Sequence, residues 1–259
     1  MLFAEKEINL IDAFRGLSRS EIALIPTNGM VESICLSLQD EARWETWTDS
    51  SAKDAPPPDF YSTHEKLMME VMRVDDHGFK RKGKIVNPTL AREHEIEREL
   101  RESGALGLFP DSVMLMINED SGLPTTEDHN YQYYFENFKR TIEHHKSKIN
   151  KYRDNHPGYK TVFFVHDEST AYAVVKKVPN KIQQGGIVRG MPHFWFFDRR
   201  FIDIFKDTSI DYLIWMAPYK LFQTVGRSPL LPTACVFDCH NIDIELMDYD
   251  MSHMVSSEV

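Results

Sequence analysis

Two carboxylates frame the stretch of this chain whose residue types and spacing point to chemistry. Asp59 directly follows Pro56, Pro57 and Pro58, and Glu70 sits inside the apolar run Leu67-Met68-Met69-Glu70-Val71-Met72. A carboxylate in such a run is costly to bury unless something pairs with it, and a divalent metal ion, which takes oxygen ligands, is one such partner. The two acids are eleven positions apart, a spacing that a hairpin closes by setting Asp59 at a strand end and Glu70 in mid-strand. A third acid, Glu7, falls between Phe3 and Ile11 on the apolar stripe of the first helix. Acids are also favoured in a first helical turn by the helix dipole, which is the plainer reading of Glu7. A second constellation is His166-Asp167-Glu168 at the end of an apolar strand, with Asp198, Asp238 and His240 further on. Ligands in open α/β sheets bind at the carboxyl ends of strands. Capping of strands and helices accounts for the same residues, and Asp198 stands where the N-cap of a helix over 199–206 belongs.

The elements that must position these residues are legible as periodicities. Leu10, Ile11, Phe14 and Leu17 recur at helical steps, with the first helix spanning about 2–17. Ile22–Ile25 is an apolar run ended by Pro26, and Val31–Leu38 alternates as a strand would. A further strand is expected within 43–48, then a proline-bearing loop over 49–58 and a strand over 66–74. Asn87-Pro88 is a helix start, and that helix is expected to run to about Arg101. Val113–Ile117 reads as a buried strand, and 129–154 as one long helix carrying Tyr131, Tyr134, Phe138, Ile142, His145, Ile149 and Tyr152 on its apolar stripe. A histidine on such a stripe is ordinarily a hydrogen-bonded core residue. Strands follow over 161–165, 171–175, 193–197, 212–216, 234–237 and 242–246, and Met247–Val259 lacks periodicity and is expected to fray. Val-Phe-Phe-Val and Tyr-Leu-Ile-Trp-Met are apolar on both strand faces, so the expected class is α/β, a mixed central sheet with helices on both faces. No linker divides the chain, which reads as one domain over 1–246 with a tail.

Composition narrows the function classes. In 259 residues there are three cysteines with no CxxC pair, which argues against a disulfide framework or a zinc knuckle. The net charge of −10 argues against a surface that grips nucleic acid throughout. It is uneven: residues 1–79 hold 7 basic and 15 acidic side chains, net −8, and 80–160 hold 14 and 13, net +1. No apolar run approaches the roughly 20 residues that span a bilayer, so no membrane partner is expected. Met1–Glu7 lacks a basic-then-apolar leader pattern, and a cytoplasmic protein is the default. GxGxxG, GxxxxGK[ST], GxSxG and HExxH are all absent, which lowers the odds of dinucleotide, P-loop, hydrolase-elbow and zinc-protease chemistry.

Pro58-Asp59, the acid-bearing strand around Glu70 and the order helix, strands, helix, strand through residue 117 resemble the PD-(D/E)XK nuclease superfamily. The resemblance covers roughly 110 residues at the N-terminal side and implies a restriction-endonuclease-like core followed by a C-terminal α/β extension. It implies Mg2+ held by Asp59 and Glu70, phosphodiester hydrolysis on nucleic acid, and Glu7 as the first-helix acid found in some branches. The pattern's lysine, two positions after Glu70, is here Met72, which can neither donate nor carry charge. Lys66 shares strand parity with Glu70 and is the expected stand-in. The alternative is a non-enzymatic binding or assembly protein, in which the long apolar helix serves a core or a homo-oligomer interface.

Overall fold

The protein is described as a computed structural model covering residues 7–51, 57–104, 129–176, 190–206, 209–220 and 231–257. Helix α1 (Glu7–Arg15) leads to strand β1 (Ile22–Ile25), helix α2 (Gly29–Gln39) and the single-turn α3 (Glu41–Trp44). Strands β2 (Trp47–Asp49), β3 (Phe60–Ser62) and β4 (Leu67–Val74) precede the hairpin of β5 (Phe79–Arg81) and β6 (Lys84–Val86), then helix α4 (Pro88–Glu102). Helices α5 (Tyr131–Lys146) and α6 (Ile149–Asn155) come next, followed by β7 (Lys160–Asp167), β8 (Tyr172–Val174) and β9 (Met191–Pro192). The last elements are α7 (Arg199–Ile202), β10 (Tyr212–Met216), β11 (Ala234–Asp238) and β12 (Met254–Ser256).

Seven strands form one mixed sheet in the order β1-β11-β10-β7-β4-β3-β2. β4, β7 and β10 run parallel, while β2, β3 and β4 are joined antiparallel. Strict alternation divides the buried side chains between two faces, as the pleat requires. Met69, Val71, Val162, Phe164 and Ile214 pack with Leu10, Phe14, Val31 and Ile34 of α1 and α2. Met68, Met72, Phe163, Val165 and Trp215 pack on the other side with Tyr134, Phe138, Ile149, Tyr152 and Phe201 of α5, α6 and α7. The α/β class with helices on both faces is therefore present, and no described helix is long and apolar enough to cross a membrane.

Several expected elements differ. Residues 31–38 are helical: Asn28 Oδ1 accepts from Met30 N and Val31 N as an N-cap, and Val31, Ile34, Cys35 and Leu38 make a buried helical stripe that competes with the alternating reading. The long helix is two, α5 and α6, because the chain turns at Ser147 and Lys148. Residues 195–197 form a 3-10 turn rather than a strand, with Phe197 N bonded to Phe194 O at 2.9 Å. Residues 242–246 make no ladder; only Met247 bridges, to Asp198. The tail is tied down, since β12 pairs antiparallel with β8 and buries Val255. The expected strand over 113–117 lies outside the described residues.

Candidate metal-binding site

The antiparallel register Phe60↔Met69, Tyr61↔Met68 and Ser62↔Leu67 fixes the geometry of the acid pair. Continued by one residue, it sets Asp59 directly opposite Glu70, where cross-strand Cβ atoms stand about 4.5–5.5 Å apart. β3 ends there, but β4 runs on to Val74, so the backbone of Val71 is left without a strand partner on that side. Asp59 Oδ2 fills the gap by accepting from Val71 N at 2.8 Å.

Glu70 points to the α5–α6 face by strand parity and is only 6 % exposed. Its Oε1 accepts from His145 Nδ1 and from the Tyr152 hydroxyl, both at 2.8 Å. Its Oε2 is buried and has no hydrogen-bond partner among the described residues. Burial and the neighbouring Glu70 charge together push the Asp59 carboxyl from its ordinary 3.8 to about 7; Glu7 adds to the rise, while the Val71 N–H and His145 oppose it. Two carboxylates set side by side in this way suit a divalent cation, which relieves their repulsion and takes up an unpartnered oxygen. Burial and the same Glu70 charge raise the Tyr152 phenol, so that it stays a donor.

Beside the pair lies a cavity of about 230 Å³ lined by Glu7, Leu10, Val71, Met72, Arg73, Thr141 and His145. The cavity opens at the β4 edge left uncovered by β3, with α1 on one side and α5 on the other. Arg73 in its wall is held by a bidentate pair to Glu168, at 2.7 and 2.9 Å. Glu168 stays ionised because the contact with His166 and the Arg73 charge outweigh its burial.

Three of the four expected residues, Glu7, Asp59 and Glu70, meet here. Lys66 does not. It lies one residue before β4, at φ 55°, so strand alternation does not govern where its side chain points. Its ammonium sits 5.0 Å from the Tyr159 ring centroid, and four residues at roughly 3.3 Å each separate it from Glu70 along the chain. The contact described for Lys66 is thus with Tyr159 and not with the Glu70 carboxylate. The group that does reach Glu70 is His145, from the helix packed on β4. The signal for it was its place on the apolar helical stripe, which marked His145 and Tyr152 as inward-facing without saying toward what.

The second constellation is divided. Asp167 is fully buried and accepts from Tyr134 OH at 2.5 Å and Trp215 Nε1 at 2.9 Å, while Asp198 accepts from His193 at 2.8 Å and caps α7 through Arg200 N. Asp238 closes β11, which runs antiparallel to β10, and His240 after it pairs with Asp211 at 3.3 Å, at the other end of the strands. Asp238 turns back on its own loop, accepting from His240 N and Asn241 Nδ2. On the basic helical face, Lys146 donates to the Ile204 carbonyl and Arg153 to that of Ser209, so both are structural ties. Comparison with protein families, curated proteins and solved structures finds no match.

Proposed function

We propose that this protein is a nuclease-like, divalent-metal-dependent phosphodiester hydrolase, with Asp59 and Glu70 as metal ligands and Glu7 assisting. The observation that carries the reading is the convergence of three carboxylates on an uncovered strand edge, where one of them is held at a pKa of about 7. Further support comes from topology: β2, β3 and β4 are antiparallel neighbours, helices follow, and β7 returns parallel beside β4. That order of strands is compatible with a restriction-endonuclease-like core and supports the reading without deciding it.

A cation bound there supplies Lewis-acid stabilisation of phosphate charge and lowers the pKa of water. The chain's own groups do the rest. His145 and Tyr152 fix the Glu70 carboxylate by two hydrogen bonds to Oε1, which restricts its rotamer freedom and leaves Oε2 for a ligand. Val71 N–H orients Asp59. His145, in the wall of the cavity, is the group able to exchange a proton where the pattern's lysine is absent. Arg73, in the wall of the cavity, is held in place by its ion pair with Glu168.

Met72 at the lysine position favours a second reading, a relative that binds metal and nucleic acid without cutting. The experiment that separates them incubates the protein with supercoiled DNA, single-stranded DNA and RNA in Mg2+ or Mn2+, and follows melting temperature in parallel. Metal-dependent cleavage that disappears in Asp59→Asn and Glu70→Gln supports the hydrolase. A metal-dependent rise in melting temperature without cleavage supports the binding relative. Wild-type cleavage that survives both substitutions, or melting that no metal moves, overturns the assignment of this site.

A further inference from the structure

We propose that Asp76, His77 and His129 hold one zinc-class divalent cation, at a second site separate from Asp59 and Glu70. One ligand atom from each of the three residues lies within 4.8 Å of the others. His129 Nδ1 is 3.1 Å and His77 Nδ1 4.0 Å from the same oxygen, Oδ1 of Asp76. Ligands about 2.0–2.1 Å from a tetrahedral zinc stand roughly 3.3 Å from one another, so these separations bracket what a bound ion needs.

The carboxylate is prepared for one side only. Oδ2 of Asp76 accepts from Thr170 N at 3.0 Å, Thr170 Oγ1 at 3.0 Å and Tyr172 OH at 2.6 Å, which leaves Oδ1 toward the two imidazoles. Asp76 is 1 % exposed, and metal-ligating carboxylates are ordinarily anchored through their second oxygen in this way. His129 is held at φ 51°, a conformation few residues other than glycine adopt, immediately before the Asn130 cap of α5. Two nitrogens and one carboxylate oxygen select a borderline first-row ion such as Zn2+ over Mg2+, which prefers an all-oxygen shell. The cation joins the turn after β4 to the start of α5, 53 positions away in the chain, and through Asp76 reaches the segment after β7. It is a staple for the helix that delivers His145 to Glu70.

The test uses metal-stripped full-length protein titrated with Zn2+ in a large excess of Mg2+, by calorimetry and by competition with a chromophoric chelator. Co2+ substitution reports coordination geometry by its visible absorption. We expect one equivalent of Zn2+ in the wild type and in an Asp59→Asn/Glu70→Gln variant. His77→Ala and His129→Asn, the latter chosen because asparagine tolerates positive φ, should each weaken binding more than about 100-fold, since even outer-shell partners are worth about 10- to 100-fold. If the His129→Asn protein fails to fold, His77→Ala, which touches no cap, carries the test alone. Zinc stoichiometry and affinity unchanged in His77→Ala, or lost instead with Asp59 and Glu70, overturns the proposal.

Discussion

At the scale of single residues, Asp59 sets the pH behaviour of the site. Its native pKa of about 7 lies above the ordinary 3.8, so between these values the folded protein retains a proton that the unfolded chain has released. Stability contributed by this group is therefore present at low pH and falls as pH rises from about 4 to about 7. The displacement corresponds to at most about 4 kcal/mol, reduced by the partial exposure of Asp59. Asp59→Asn should flatten this part of the melting-temperature profile, and an unchanged slope would assign it elsewhere. The same proton competes with a cation, so Mn2+ affinity should fall up to about tenfold per pH unit below 7, as read by calorimetry across pH 5–8. Lys66 invites the opposite expectation. Because it holds φ 55° outside the strand, Lys66→Gly should raise stability by up to about 1 kcal/mol and leave the metal response intact. A lost metal response in Lys66→Gly would restore the lysine to the site.

The elements matter because each delivers one group to an edge no single segment could build. β3 stops one residue early and leaves Asp59 to satisfy the Val71 N–H, while α5 and α6 supply His145 and Tyr152 as donors to Glu70 Oε1. Tyr152→Phe removes one of those donors without changing shape. We expect a loss of about 0.5–1.5 kcal/mol in denaturant unfolding, together with weaker Mn2+ binding. Unaltered binding would mean that the hydroxyl is only a core tie. Glu70→Ala differs from Glu70→Gln for the same reason: alanine strands the Tyr152 hydroxyl and His145 imidazole, whereas glutamine keeps an acceptor for them. Helix α2 gives an independent check away from the site. Asn28→Ala should cost about 1 kcal/mol by loss of its two cap bonds, measured by chemical denaturation, with the metal response unchanged.

At the scale of the whole molecule, the amino-acid sequence by itself determined the class and the acids but not their company. Apolar runs such as Val162–Val165 and Tyr212–Met216 require cover on both faces, which is enough to specify an α/β sheet, and the burial cost of Glu70 singles it out without any structure. These are consequences of local periodicity and transfer energy, which neighbouring residues carry. Val31–Leu38 shows the limit, because its apolar positions satisfy either a strand or a helix until the Asn28 cap and the sheet face beneath it decide. Pairing across distance lay beyond such reasoning. That β7 adds parallel to β4, and that His145 and Tyr152 close on Glu70 from 75 and 82 positions away, follow from which faces needed covering once the sheet formed. The meeting of Asp76, His77 and His129 has the same origin, since His129 owes its place to the docking of α5 on β4. Local spacing decides what a segment can become, whereas only the closing of the core decides which distant side chains share a site.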